Sequence, residues 1–146
     1  MHITYTRSIN NYLRCTNYDE CFRVIYLNAK YQVYRDMAGK FRFRLRAANN
    51  KIVAVSEAYE SKTGCLNGVR SVQSNCNSHI EDHTIEMEKL TNPKYEVFTD
   101  IDSQYRFHLK ASNGEIIAAS EAYETKQGVY MELKQFKAVV MQKSRI

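Results

Sequence analysis

The chain has 146 residues, of which 44% are hydrophobic and 25% charged, and its formal net charge is +5. This length and composition are typical of one globular domain and exclude disordered and collagen-like chains. No apolar run approaches the roughly 18 residues that a membrane span requires, and we find no export signal. We therefore expect a cytoplasmic protein without membrane contact.

The four cysteines do not have the spacing of a structural zinc site, since no pair is separated by two to four residues. Without an export signal we expect Cys15, Cys21, Cys65 and Cys76 to be reduced thiols. The sequence also contains no glycine-rich phosphate loop and no G-x-S-x-G elbow. We predict no cofactor and no enzymatic activity.

The chain contains an internal repeat. At an offset of 64 residues and without a gap, 17 of the 42 positions from Tyr31 to Val72 match their partners from Tyr95 to Phe136. This match divides the chain into a non-repeated leader (1–30) and one domain (31–146), which consists of a first repeat (31–90) and a second repeat (95–146). Pro93 lies in the connector between the repeats, which is too short to separate independent domains.

The first predicted element is a strand-like leader segment, Cys21–Leu27, for which the sequence offers no partner. It is either an added edge strand or a segment translated from an early start codon. Each repeat then opens with a predicted strand, Tyr31–Arg35 or Tyr95–Thr99, and a polar turn. In the second strand apolar and basic residues alternate, which is typical of an antiparallel strand with one buried face. The apolar positions are Phe41, Phe43, Leu45 and Ala47, repeated as Tyr105, Phe107, Leu109 and Ala111.

A tight turn and a third strand complete a three-stranded meander in each repeat. Asn49-Asn50 and Asn113-Gly114 supply residues that tolerate the positive φ of a two-residue hairpin. The third strands are predicted at Lys51–Ser56 and Glu115–Ser120.

The period then changes to that of a helix, because apolar residues recur at spacings of three and four. These residues are Cys65, Val69, Val72 and Cys76 in the first repeat and Val129, Leu133, Phe136 and Val140 in the second. Ser61 and Thr125 are the expected N-caps. A fourth strand is predicted at Ile80–Ile85, whereas the second repeat has only Lys143–Ile146 left, so its fourth strand should be short or absent.

Four blocks in the first repeat, each with a counterpart in the second, resemble the YegP-like family, an uncharacterised group of small proteins. The blocks are Tyr31–Asp36, Phe41–Asn49, Ile52–Tyr59 and Lys62–Val72. The resemblance implies an α+β fold in which two tandem β3-α-β repeats form a single antiparallel sheet with pseudo-twofold symmetry. It also implies two helices on one face of the sheet and exchange of the C-terminal strands between repeats. It implies no established activity, catalytic residue or cofactor. The chain departs from the pattern where Asn67-Gly68 becomes Met131-Glu132.

The alternating cations are the best candidate for a functional surface. With the apolar residues of the second strands facing the helices, the basic residues should project from the opposite, open face of the sheet. Aromatic residues of the first strands should share this face, as in the stacking platforms of single-strand nucleic-acid binders. The candidate partner-binding residues are Arg42, Arg44, Arg46, Arg106, His108, Lys110, Tyr34 and Phe98. The alternative is a solvated face whose cations pair with Gln32, Glu96 and nearby acids.

Two further motifs have weaker functional interpretations. Ser56–Glu60 and Ser120–Glu124 repeat the same five residues at a predicted strand-to-helix corner, which favours a folding element over acid-base chemistry. The second motif is unique to the first repeat. On a strand, His79, Glu81 and His83 would lie on one face and are weak candidates for metal ligands.

These observations favour a non-enzymatic interaction module that contacts an anionic or protein partner through its basic open face. The alternatives are a small enzyme or metal-binding protein that uses His79, Glu81 and His83, and a self-associating structural protein. A tandem pair satisfies internally the symmetry that a single unit would obtain by dimerising, so we expect a monomer rather than a homodimer.

Overall fold

A computed structural model describes residues 6–7, 13–14, 30–46 and 50–143. In the leader, β1 (Thr6–Arg7) and β2 (Leu13–Arg14) form a small antiparallel pair. The predicted leader strand Cys21–Leu27 lies outside the described residues.

The rest of the described chain forms seven strands and two helices. In chain order these are β3 (Lys30–Arg35), β4 (Phe41–Arg46), β5 (Ile52–Val55), α1 (Lys62–Asn75), β6 (Ile80–Asp82), β7 (Lys94–Thr99), β8 (Tyr105–Lys110), β9 (Ile116–Ala119) and α2 (Lys126–Lys143). The chain therefore has the expected α+β fold.

The seven strands form one sheet in the order β3-β4-β5-β9-β8-β7-β6. Neighbouring strands are antiparallel except β6 and β7, which are parallel, with Ile80 opposite Tyr95. The sheet is thus mixed, and the prediction of a wholly antiparallel sheet was wrong. The physical reason is that no hairpin joins β6 to β7. Residues 83–93 connect them, a segment long enough to return the chain to the same end of the sheet.

The two repeats meet at the centre of the sheet, where Val55 of β5 pairs with Ala119 of β9. Helix α1 packs against β4 and β9, and helix α2 packs against β8 and β5, so each helix contacts strands of both repeats. Helix α2 of the second repeat extends to Lys143, the first residue of the expected short fourth strand. The other residues of that expected strand, 144–146, lie outside the described part of the chain.

One hydrophobic core lies between the sheet and the helices. The predicted apolar faces are confirmed, since the strand and helix residues of both repeats pack together and are buried, except Phe41, Val69 and Tyr105, which are partly buried. The predicted Ala47 lies outside the described residues. The largest fully buried side chains are Leu45, Val53, Val72, Tyr95, Val97, Phe107, Leu109, Val129, Leu133, Phe136, Val139 and Val140. This burial fixes which strand residues face the helices and which face outwards.

The Ser56–Glu60 corner is a structural element, as favoured from sequence. The Ser56 hydroxyl accepts a hydrogen bond from the Phe43 amide (2.8 Å) and donates one to the Glu57 carbonyl (2.7 Å). Tyr59 then continues the ladder by pairing with Phe41. Ser120 and Tyr123 make the same contacts with Phe107, Glu121 and Tyr105 in the second repeat.

Both predicted N-caps are confirmed. The Ser61 hydroxyl accepts a hydrogen bond from the Gly64 amide, and the Thr125 hydroxyl accepts one from the Gly128 amide, both at 3.0 Å. The corners therefore set the positions at which the two helices begin.

Candidate functional site

The open face is the side of the main sheet opposite the helices. Strand pairing places one continuous row of residues across it. From one edge of the sheet to the other, this row consists of Gln32, Arg44, Val55, Ala119, His108, Glu96 and Glu81. The row is basic in the first repeat, apolar at the centre and acidic at the edge formed by β6. The open face is therefore not uniformly cationic.

The basic residues of β4 have mainly neutral partners. Arg44 Nε donates a hydrogen bond to Gln32 Oε1 (2.8 Å), and Arg46 donates one to the Asn50 carbonyl (3.1 Å). Arg42 differs, since its Nε lies 2.9 Å from Asp36 Oδ2. Among the described residues, neither Arg44 nor Arg46 has a carboxylate within ion-pair distance. Their positive charge is therefore available on the surface.

The basic residues of β8 are largely compensated. Arg106 Nε lies 2.8 Å from Asp100 Oδ2, and Lys110 Nζ lies 2.7 Å from Glu96 Oε1. Partial burial lowers the pKa of His108 below its usual value, which favours its neutral form. The second repeat thus contributes little free positive charge to the open face.

Both predicted aromatic residues lie on the open face, and each contacts a predicted basic residue of the neighbouring strand. The Arg44 guanidinium lies 4.4 Å from the centre of the Tyr34 ring, within the range of a cation–π contact. The Phe98 and His108 rings are 4.5 Å apart at an angle of 52°. A guanidinium stacked on an aromatic ring is pre-organised to present its outer edge to an anion.

A second cluster lies at the β6 edge, which we call the Glu81 cluster: Glu81, His83, Glu96, Lys94 and Lys110. His83 Nε2 is 2.6 Å from Glu81 Oε1 and 3.2 Å from Glu96 Oε2. Lys94 Nζ binds Glu81 Oε2 (2.8 Å), and Lys110 binds the remaining oxygen of Glu96. All members of the cluster except Lys110 line a cavity of about 480 Å³, which Ile85, Met87 and Lys89 also line.

The carboxylates of β6 are strongly stabilised in their ionised forms. Hydrogen bonds from Lys94 and then from the Leu90 amide and His83 lower the pKa of Glu81 to about 2. Burial alone would raise the pKa of Asp82, but hydrogen bonds from Lys126, Thr84 and Tyr130 outweigh it and lower that pKa. Asp82 points to the helix side of the sheet and fastens β6 to α2.

The structure brings together only part of the predicted histidine motif. Glu81 and His83 face each other, but exposed His79 does not belong to the described group of potential ligands, in which Glu96 holds the third place. The sequence did not identify Glu96 as a potential metal ligand, because Glu96 lies on a different strand from Glu81 and His83. One signal was present: the first repeat has Gln32 at the position of Glu96, so the two repeats differ there in charge.

The fold defines a small α+β protein with two helices on one mixed, seven-stranded sheet. In the described part of the chain, neither helix is long and apolar enough to cross a bilayer. Residues 36–82 and 100–132, more than half of the chain, match a family described as a domain of unknown function (DUF1508). The chain belongs to this family, whose curated relatives carry the name UPF0339.

Three relatives illustrate the range of the family. The chain is 34% identical over 97 residues to a UPF0339 protein in the ptx operon 5′ region of Stutzerimonas stutzeri, covering 66% of this chain and 76% of the relative. It is 32% identical over 97 residues to the UPF0339 protein YegP of Escherichia coli, with the same coverage. It is 56% identical over 46 residues to a UPF0339 protein of Treponema denticola, covering 32% of this chain and 79% of the relative.

Solved structures agree with this assignment. The solution structure of yegP from Escherichia coli, a protein of unknown function, superposes with a TM-score of 0.63 at 29% identity, covering 77% of this chain and 86% of that chain. A UPF0339 protein from Shewanella oneidensis gives a TM-score of 0.59 at 27% identity, covering 75% and 82%. The resemblance to the YegP-like family is thus confirmed, and the family itself has no known function.

Proposed function

We propose that this protein is a non-enzymatic binding module that contacts an anionic partner through the first-repeat part of its open face. The observation that carries the proposal is the Arg44 guanidinium, which is stacked on Tyr34 and hydrogen-bonded to the neutral Gln32 side chain. Arg46 adds a second cation without a described acid partner. A phosphate or carboxylate group would pair with both guanidinium groups without breaking an ion pair.

The proposal narrows the surface predicted from sequence to its first-repeat half. In the second half, Arg106 and Lys110 already bind Asp100 and Glu96, so a partner would have to compete with these acids. Tyr34 offers a stacking surface beside the cations, which favours single-stranded nucleic acid over other anionic polymers.

The experiment is a titration of the full chain with fluorescent single-stranded RNA, single-stranded DNA and polyglutamate at two salt concentrations. We expect the double variant Arg44→Ser/Arg46→Ser to bind RNA at least about tenfold more weakly at low salt and to reduce the salt slope by about 1.4. For a single strand, each lost phosphate contact lowers the number of released counterions by about 0.7. Tyr34→Ser should weaken RNA binding but leave polyglutamate binding unchanged, because a carboxylate polymer has no base to stack.

A matched control carries the same change in net charge. Arg70 and Lys134 are exposed on the two helices, away from the open face, so Arg70→Ser/Lys134→Ser should leave affinity and salt slope nearly unchanged. Equal losses in both double variants, or no binding of any polymer at low salt, would contradict the proposal.

The proposal includes an internal pseudo-twofold axis between the repeats. Two observations support it: Val55 and Ala119, which are equivalent in the repeats, pair across the β5–β9 junction, and the Treponema denticola relative has about the size of one repeat. Exchange of fourth strands is supported in one direction, since β6 of the first repeat pairs with β7 of the second. With this internal symmetry we propose a monomer, and light scattering over a range of concentrations tests it.

A cytoplasmic location is part of the same proposal. Cys65 and Cys76, the cysteines in the described part of the chain, are buried free thiols, and burial raises the pKa of both. Thiols of this kind are inert and suit a reducing compartment. Fractionation of cells that produce the tagged protein provides the test.

A further inference from the structure

We propose that Glu81, His83 and Glu96 form a binding site for a divalent metal cation of the class that accepts imidazole nitrogen and carboxylate oxygen together, such as Zn²⁺. This inference is independent of the anionic partner proposed above, because the two sites lie at opposite edges of the sheet. The three potential ligand atoms lie within 4.8 Å of one another. They come from β6, from the residue after it and from the neighbouring strand β7.

The orientation of the carboxylates is the first argument for this site. Glu81 and Glu96 lie directly opposite each other on the parallel strands β6 and β7, where two like charges repel. Each carboxylate has one oxygen fixed by a lysine: Lys94 binds Glu81 Oε2 and Lys110 binds Glu96 Oε1. The second oxygen of each therefore turns towards the same point, which is where His83 Nε2 lies.

The number of protons is the second argument. His83 Nε2 carries at most one proton, and it can donate that proton to only one of the two oxygens. At 2.6 Å, Glu81 Oε1 is the closer acceptor, whereas Glu96 Oε2 lies at 3.2 Å. Among the described residues, Glu96 Oε2 is thus left without a close hydrogen-bond donor. A divalent cation would bind Glu81 Oε1, Glu96 Oε2 and His83 Nε2 together once Nε2 has lost its proton.

Access and space are the third argument. The His83 side chain is 43% exposed, and the cluster opens into the cavity of about 480 Å³. Three protein ligands and an accessible fourth position filled by water are the usual arrangement for zinc outside closed structural sites. The Glu81 and Glu96 side chains are buried, so His83 is the most accessible of the three ligands.

The two lysines act as outer-shell groups. Metal-binding carboxylates are commonly held by a second hydrogen bond, and Lys94 and Lys110 supply it here. Their ammonium groups also offset the negative charge of the carboxylates. We therefore expect a weaker affinity than that of a cluster whose acids have no counter-ions.

The site should occur once per chain. The first repeat has Gln32 at the position equivalent to Glu96, and position 145, equivalent to Glu81, is arginine. Neither side chain is a metal ligand. The stoichiometry of binding thus distinguishes this site from scattered surface binding.

The test is calorimetric titration of the chelator-treated full chain with Zn²⁺. We expect one ion per chain, and a loss of affinity of at least about tenfold in both His83→Ala and Glu96→Gln. The matched control is His79→Ala, which removes an exposed histidine outside the cluster and should leave affinity unchanged. Circular dichroism of each variant confirms that it remains folded. Absence of binding, or equal losses in His79→Ala and His83→Ala, would overturn the proposal.

Substitution with Co²⁺ provides an independent readout of the ligand atoms. A complex with one imidazole and two carboxylates lacks the thiolate charge-transfer absorption of a cysteine-bound ion. Appearance of that absorption would assign the metal to the cysteines and would also overturn the proposal.

Discussion

The two repeats place different residues beneath the same corner tyrosine. In the first repeat, a Cβ at Gly68 would lie only 2.6 Å from Tyr59 Cζ, so the ring lies directly on the helix backbone and stacks on Phe43. In the second repeat the equivalent helix residue is the buried Glu132, whose carboxylate lies 3.4 Å from Lys51 Nζ. One corner sequence therefore accommodates either close aromatic packing or a charged pair.

The outer strands differ as well. The outer strand of the second repeat, β7, pairs with β6 of the first repeat, and the Tyr95 hydroxyl donates a hydrogen bond to the Cys76 carbonyl just before β6 (2.6 Å). In the first repeat, the buried Tyr31 hydroxyl has no hydrogen-bond partner among the described residues. The two repeats therefore share their three-stranded meander but differ in the residues that surround it.

The largest effect is expected at Asp82, which fastens β6 to α2. Its carboxylate binds Lys126 Nζ (2.8 Å), the Tyr130 hydroxyl (2.7 Å) and Thr84. Asp82→Ala leaves these donors without their acceptor and should destabilise the fold by about 3 kcal/mol, because breaking a buried charged network is costly. Urea unfolding measures the loss.

The control for this prediction is Asp102→Ala, which removes an exposed aspartate from the turn between β7 and β8. It should change the free energy of unfolding by less than about 0.5 kcal/mol. Equal changes in the two variants would mean that Asp82 does not fasten β6.

Adding a methyl group at Gly68 should break the packing that is special to the first repeat. Alanine favours a helix over glycine, yet we expect Gly68→Ala to destabilise the protein by about 2 kcal/mol, because its Cβ would overlap the Tyr59 ring. Thermal unfolding of Gly68→Ala, Tyr59→Ala and the double variant forms a cycle. If the two losses simply add, the ring and the glycine do not interact as described.

Acid should weaken the β6–β7 edge of the sheet before the β3–β4 edge. The pKa of Glu81 is about 2 in the folded protein, below its ordinary value of 4.5, so its stabilising contribution is present above pH 4.5 and is lost as the pH falls towards 2. We expect a loss of about 2 kcal/mol between pH 6 and pH 3 from this group. Glu81→Gln should remove that part of the pH dependence in urea unfolding.

Two measurements sharpen this prediction. Glu121→Gln, at an exposed glutamate, should retain the pH dependence of the unmodified protein. Amide hydrogen exchange at pH 3 should show β6 and β7 opening more readily than β3 and β4. Faster exchange in β3 and β4 than in β6 and β7 would contradict the assignment of the acid-sensitive contacts to the β6 edge.

The smallest effects distinguish the two equivalent tyrosines. Tyr95→Phe removes the hydrogen bond to the Cys76 carbonyl and should cost about 1 kcal/mol. Tyr31→Phe removes a hydroxyl without a described partner and should be neutral or slightly stabilising. Burial raises the pKa of both groups, so both remain neutral over the ordinary pH range. Equal losses in the two variants would show that Tyr31 has a partner after all.

Much of the meander could be predicted because local patterns determine it. Alternation along β4 and β8 defines the buried Phe43 and Phe107, and positive φ at Asn50 and Gly114 agrees with the predicted turns. The N-caps Ser61 and Thr125 were also predictable, since a cap is a contact between residues three apart. The direction of β6 was not predictable in this way, because it depends on a long connection.

The candidate sites depended on contacts between distant segments. The basic alternation placed Arg44 and Arg106 on one face, but only the structure showed that Asp100 compensates Arg106 while Gln32 leaves the Arg44 charge free. The histidine motif suggested a site near Glu81, yet its third member, Glu96, belongs to another strand.

The sequence by itself determined the duplication, the α+β class, the two amphipathic helices and the face on which the cations lie. These properties follow from periodicity and short-range hydrogen bonds, which act between residues close together in the chain. Only the tertiary structure decided that β6 runs parallel to β7, that the second-repeat cations are compensated and that Glu81, His83 and Glu96 converge. Each of these depends on strand pairing and electrostatic contacts between segments that are separated in the chain, which local patterns do not encode.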